Sequence, residues 1–405
     1  MSIHQPRRAE RADKNLIRSD DLYRNMPVRK PLAGESELST AINAMVREGA
    51  LYEKLPDNRV HCFACAHHCK INDGGRGICQ VRYNVGGTLF VPRGYVAALQ
   101  CDPIEKKPFF HVLPSSDALT FGMLGCDLHC GYCQNWDISQ ALRDPESGRP
   151  PSLVTPQQLV EIGKQQNARV MASSYNEPLI TSEWAVEIFA QAKREGFLCA
   201  YVSNGNATRE VLEYIQPYVR AYKIDLKTMR DKNYRALGAP LEHILDGIRM
   251  VHAMGFWLEI VTLVIPGFND SAEELRDAAQ FIASLSKDIP WHVTAFHPDY
   301  KMTDPNSTTV QQLLRACESG RAAGLNFVYA GNLPGRVGEW ENTYCPNCGA
   351  ALIERYGYLI SQYRLSDEGT CTNCGAGIPG VWHTDACAVR LDEPYAWRMR
   401  RPRAV

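Results

Sequence analysis

Three thiols stand close together in the stretch 125–136, which reads GCDLHCGYCQNW: Cys126, Cys130 and Cys133, at a C-x-x-x-C-x-x-C spacing with no fourth cysteine close behind. A cubane iron-sulfur cluster has four iron corners and normally takes four thiolates. Three thiolates on a short glycine-containing loop leave one iron with an open position, where a substrate or cofactor can bind as it does at an open metal site. These cysteines are the candidate catalytic and metal-binding residues.

Two further cysteine groups have metal-ligand spacing. Cys345 with Cys348 and Cys371 with Cys374 form paired C-x-x-C knuckles, each followed by a glycine, Gly349 and Gly375. Each knuckle closes one side of a tetrahedral S4 site, so a zinc ribbon with a structural zinc is expected. Cys62, Cys65, Cys69 and Cys79 are threaded through His61, His67 and His68, with Gly74, Gly75 and Gly77 to permit tight turns. They make a closed four-ligand site that leaves zinc and a second cluster both open. Cys101, Cys199, Cys317 and Cys387 are ungrouped and are expected as buried packing thiols.

This grouping of 15 cysteines fits metal coordination in a reducing cytosol. Across 405 residues, 44 basic side chains balance 45 acidic ones, so no global field draws in a polyanion, and nucleic acid is not indicated as a partner. No apolar run approaches the roughly 18 residues a spanning helix needs, and no apolar segment follows Arg7 and Arg8. A cytoplasmic protein with no membrane partner is expected.

The elements that must position the thiol loop are short apolar runs alternating with amphipathic segments. The runs cover 118–121, 170–174, 198–202, 221–226, 257–264, 291–296 and 326–329, and helical stretches cover 156–166, 182–195, 207–215, 241–254, 272–285 and 310–323. Repeated strand-then-helix units predict an α/β fold, a full or partial (β/α) TIM-like barrel, with chemistry at the carboxyl ends of its strands. The thiol loop directly follows the first run. Upstream, Ala41, Ile42, Met45 and Val46 give the stripe of a helix capped at Ser39 or Thr40, 81–96 reads as a strand pair turned at Gly86-Gly87, and residues 1 to about 30 read as loosely docked. Between the ribbon cysteines, 351–364 alternates as a hairpin does. The expected organisation is an extension over 1–55, a four-cysteine subdomain over 56–112, the barrel over 113–340, the ribbon over 341–385 and a tail over 386–405.

The thiol spacing, with aromatic Tyr132 just before the last cysteine, resembles the signature of the radical S-adenosylmethionine (SAM) enzymes. The resemblance implies a partial barrel, a 4Fe-4S cluster whose open iron is chelated by SAM, and reductive cleavage to a 5'-deoxyadenosyl radical. The second run ends in Tyr175, Asn176, Glu177 and Pro178, similar to the Gly-Gly-Glu-Pro of relatives of the pyruvate formate-lyase activating enzyme, with Asn176 in place of a glycine. By that likeness Asn176 and Glu177 contact the SAM ammonium, a carboxylate suiting a charged amine. Ser203, Asn204 and Gly205 are similar to the Thr-Asn-Gly that reaches the ribose or carboxylate. Lys227 is a candidate cation for the SAM carboxylate, with Asp225 orienting it or holding a monovalent ion; a structural salt bridge is the alternative. Glu259, a carboxylate within an apolar run, is a candidate SAM or substrate contact. His297, at a strand end, is expected to line the pocket, whereas His292 reads as a satisfied core or surface histidine.

Arg76-Gly77-Ile78-Cys79, Cys133-Gln134-Asn135-Trp136, His297-Pro298-Asp299-Tyr300-Lys301, Tyr329-Ala330-Gly331-Asn332 and the ribbon together resemble the AmmeMemoRadiSam-system radical SAM enzymes over roughly residues 60 to 382. This implies a protein or peptide substrate, a reducing partner such as a flavodoxin or ferredoxin, and association with Memo-like and AMMECR-like proteins. Modification of RNA or a small molecule is the alternative within the class. A multi-zinc scaffold or nucleic-acid module is the alternative outside it.

Overall fold

The structure, a computed structural model, describes residues 37–392 together with the backbone of Arg403–Ala404. The N-terminal stretch read as loosely docked lies outside the described residues.

The first helix is shorter than its apolar stripe predicts. It spans Glu37–Asn43, with Ser39 and Thr40 inside it, and Val46 opens a strand, Val46–Glu48, paired antiparallel with 90–92. Val46 is β-branched and nearly fully buried, and a strand partner satisfies its backbone while its side chain packs. The hairpin forms as expected from Tyr83–Val85 and Thr88–Pro92. Gly86 and Gly87 between them both have positive φ, the conformation a two-residue turn requires.

Seven parallel strands follow: Asp117–Gly122, Val170–Ser173, Leu198–Ser203, Ala221–Asp225, Trp257–Val264, Trp291–Ala295 and Val328–Gly331. Each sits beside its predecessor in register, so their carboxyl ends line one rim. The expected helices pack outside them. Those starting at Pro156 and Val310 are launched by capping boxes, Thr155 with Gln158 and Thr309 with Gln312. Ser182–Arg194 buries Trp184, Ile188 and Phe189 against the sheet. A further helix, Asp231–Leu237, was not marked by periodicity and lies beside the thiol loop.

Among the described residues the sheet stays open. Ala98–Pro103, the last strand of the stretch read as the four-cysteine subdomain, joins the first parallel strand antiparallel, with Arg403–Ala404 beyond it, and Val328–Gly331 forms the other edge. The architecture is therefore a partial (β/α) barrel with a cysteine-rich segment before it and a cysteine-rich module after it.

That last module forms the barrel's floor. Its hairpin, Ala351–Tyr356 with Leu359–Tyr363, sends Arg355 to donate to Phe110 O at 2.8 Å and to stack over the Phe110 ring. His111 Nδ1 donates to Pro379 O at 2.7 Å, and Leu113 N donates to Val381 O at 2.8 Å.

Candidate active site

The loop 125–136 leaves the carboxyl end of the first parallel strand and is held from three directions. Gly125 N donates to Ile138 O, His129 N to Leu237 O, and Lys301 N to Gly131 O, all at 2.9 Å. Trp136 stacks on Tyr300 with ring centroids 5.1 Å apart. Gly125 has φ +90°, and a Cβ there would stand 2.7 Å from Val81 and 3.0 Å from Cys79 O, so only glycine fits. The charge of Cys130 is felt at Cys126 and that of Cys133 at Cys130. Burial pushes all three up, Cys130 to about 11, so a thiolate state here requires a bound cation. Lys227 works in that direction at both Cys130 and Cys133.

Beside the loop the second and third strand ends interlock. Glu177 is buried and accepts from Leu179 N at 3.1 Å, Ser203 Oγ at 2.7 Å and Asn204 N at 2.7 Å. Asn176 Oδ1 accepts from Met123 N at 3.0 Å, so its side chain braces the start of the thiol loop. Burial and the neighbouring Asp127 carboxylate push Glu177 up to about 8, against the lowering effect of its hydrogen bonds. A neighbouring ammonium would reverse that shift, which fits the amine of SAM.

Asp127 is the residue that sequence reasoning missed. Its carboxylate is fully buried and accepts from Asn204 Nδ2 and Asn206 Nδ2, each at 2.7 Å, and it stands 3.8 Å from Cys126 Sγ. A carboxylate next to the first loop cysteine was the available signal. At the fourth strand end Asp225 pairs with both Lys223 and Lys227, the latter at 3.2 Å. Burial opposes the Asp225 charge, but the two ammonium groups outweigh it and hold the carboxyl at about 2. Tyr132 is buried edge-on against Phe268 and close to Lys227. The loop cysteines, Tyr132, Asn176, Glu177, Ser203, Asn204, Asp225 and Lys227 thus cluster at one rim.

Glu259 does not join them, a correction to its reading as a cofactor contact. It lies near the amino end of the fifth strand, where its carboxylate accepts from Phe110 N, His111 N and Trp257 Nε1, each at 3.0 Å, and pairs with His292 Nε2 at 2.7 Å. Every lone-pair direction is committed to the floor. His292 is correspondingly the satisfied histidine expected. His297 stands at the other end of the sixth strand, 2.9 Å from the Gln134 amide. Both line a cavity of about 660 Å³ that extends past Thr294 to residues 101–103 and 330–332.

The ribbon cysteines meet as a zinc site requires: Cys345 and Cys374 sulfurs lie 3.6 Å apart and Cys348 and Cys371 sulfurs 3.7 Å. Asn373 Nδ2 donates to Cys348 Sγ at 3.4 Å, and that contact chiefly holds the thiol down at about 6. Of the ungrouped thiols, Cys101, Cys199 and Cys317 are buried. Cys387, in the short turn Ala386–Ala388 after the ribbon, is exposed among the described residues.

A parallel α/β array whose first strand ends in a three-thiol loop, ringed by a buried carboxylate, amides and a lysine, is an enzyme scaffold for a metal cofactor with one position left to a small-molecule ligand. Residues 121–282 match the radical SAM superfamily. An uncharacterized protein of Methanocaldococcus jannaschii is 38% identical over 82% of this chain and 99% of its own. The pyruvate formate-lyase-activating enzyme of Staphylococcus aureus is 27% identical over 43% of this chain and 72% of its own. A crystal structure of a radical SAM methyltransferase from Sphaerobacter thermophilus is 12% identical, covering 71% of this chain and 77% of that one with a TM-score of 0.43. The chain belongs to the radical SAM superfamily.

Proposed function

We propose that this enzyme cleaves SAM reductively to a 5'-deoxyadenosyl radical and uses it to abstract hydrogen from a protein or peptide, as a glycyl-radical activating enzyme does. The observation that carries the reading is the three-thiol loop gathered at the barrel's rim with Glu177, Ser203, Asn204 and Lys227, its Gln134 lining a cavity of about 660 Å³, within the roughly 300–1,000 Å³ range of ligand sites. Similarity to an activating enzyme supports a protein substrate and an external reductant such as a flavodoxin or ferredoxin.

When bound at Cys126, Cys130 and Cys133, a 4Fe-4S cluster supplies the electron that breaks the carbon-sulfur bond of SAM. The chain does the rest. Glu177, fixed by Ser203 and Asn204, offers its carboxylate to the SAM amine. Lys227, steadied by Asp225 and close to Cys130, would be the cation that holds the SAM carboxylate. Tyr132 and Phe268 keep an apolar wall beside the loop that excludes water. Gln134 and His297 line the passage toward substrate.

The motif set argues further for the AmmeMemoRadiSam type, working in the cytoplasm with Memo-like and AMMECR-like proteins, and for the five-part chain organisation given above. Anaerobic reconstitution with dithionite and SAM tests the reaction, with 5'-deoxyadenosine formed by the wild type and lost in Cys130→Ala. Absence of 5'-deoxyadenosine from the wild type refutes the reading. A mass change on isolated RNA, with none on protein, refutes the substrate class.

A further inference from the structure

Four thiols of the N-terminal region converge at a place that no step above uses. Cys62 ends the strand Arg59–Cys62, and Cys65, Cys69 and Cys79 sit on the turns that follow. Cys62 N donates to Cys69 O at 2.9 Å, and Ile78 N donates to Cys69 Sγ at 3.5 Å. The charge of Cys62 is felt at Cys65, Cys69 and Cys79 alike, and Cys65 packs in one buried cluster with Cys79.

Their spacing separates two kinds of metal. A zinc ion about 2.3 Å from each sulfur puts its tetrahedral ligands about 3.8 Å apart. The ribbon meets this at 3.6 and 3.7 Å, and among the described residues it is the one set of three or more His, Cys, Asp or Glu donors gathered within 4.8 Å of one another. No three of Cys62, Cys65, Cys69 and Cys79 have their sulfurs gathered within 4.8 Å of one another, nor do Cys126, Cys130 and Cys133. A cubane needs a wider spread, because each thiolate binds a different iron.

The surroundings fit a cluster as well. Arg82, 1% exposed, is held by Glu183 at 2.7 and 2.8 Å and lies within reach of the charges of Cys62 and Cys79. Its Nε has no partner among the described residues. The group is wedged against the thiol loop: His67 Nε2 bonds Asp127 O at 3.2 Å, and Ala66 N donates to Asn206 O at 3.0 Å.

We propose that Cys62, Cys65, Cys69 and Cys79 bind a second 4Fe-4S cluster, closed by four protein thiolates, and not zinc. Binding releases the four thiol protons and requires no change of oxidation state in the protein. The site rests on its own geometry and on no step of the proposed reaction.

The test is metal and sulfide analysis, with electron paramagnetic resonance (EPR) of the dithionite-reduced protein, on anaerobically reconstituted full-length chain carrying Cys126→Ala, Cys130→Ala and Cys133→Ala. About four iron and four sulfide are expected to remain, with an EPR signal that added SAM leaves unchanged. Adding Cys65→Ala is expected to remove both. Iron-free protein with two zinc ions per chain overturns the proposal. If the triple variant does not fold, the wild type decides: about eight iron per chain with one zinc supports two clusters, and about four iron with two zinc refutes the second. Because the triple variant lacks the three loop thiols, its iron content is independent of whether the wild type cleaves SAM.

Discussion

Replacing Glu259 with alanine is expected to break the barrel's floor and leave the rim intact. The carboxylate is fully buried and serves four donors, three at 3.0 Å and His292 Nε2 at 2.7 Å. Burial alone would raise its pKa, but the His292 hydrogen bond and the His292 and His111 rings outweigh that and lower it, so the charged form belongs to the folded state. Each buried donor left unpaired costs about 1–3 kcal/mol, and such losses overlap within one network. Removing one partner of a buried charged pair costs about 3–5 kcal/mol, and we expect Glu259→Ala to fall there. Glu259→Gln keeps the volume and about half the acceptors, and should cost about 1–2 kcal/mol. The assay is urea unfolding of the anaerobic protein alongside the spectral change of the reconstituted cluster on SAM addition. The refuting result is unchanged unfolding with lost SAM response, which would return Glu259 to the cofactor.

The ribbon should be structural, so Cys371→Ser is expected to lose one zinc and much thermal stability while the surviving folded fraction still answers to SAM; full stability with abolished SAM cleavage contradicts this. Gly125→Ala is expected to cost about 2–4 kcal/mol and to lower iron loading, since it adds left-handed backbone strain to a collision with Val81, and Val81→Ala in the same chain should return only the packing share. Burial lowers His111 from 6.5 to about 4, so the unfolded chain binds more protons between those values and folding stability is lost as pH falls through that window. The loss approaches about 3 kcal/mol and should be smaller in His111→Gln, as read by urea midpoints from pH 7 to 4.

Where function is carried by neighbours in sequence, the sequence could be read. The thiol loop, the ribbon knuckles and the seven apolar runs each carry their signal within a few residues, and each reappears within a residue or two of its expected place. Asp225 with Lys227 was legible for the same reason. Glu259 was misread because its four donors come from residues 110, 111, 257 and 292, and a local pattern shows only an out-of-place carboxylate. Ala98–Pro103 escaped because an antiparallel strand added beside the parallel set is defined by its partners. Asp127 was hidden by its neighbours, since cysteines on both sides drew attention to metal while its own partners, Asn204 and Asn206, lay far along the chain.

The floor joins residues made early to residues made late. Val381 N donates to His111 O while Val381 O accepts from Leu113 N, Pro379 O accepts from His111 Nδ1, and Arg355 reaches back to Phe110 O. On the ribosome the parallel strands emerge complete while Glu259 still faces an unfinished base, and the last cysteine knuckle must leave the exit tunnel before that base can shut. Nascent chains stalled before residue 371 should therefore be open to proteases at 105–113, and those released past 385 should resist them.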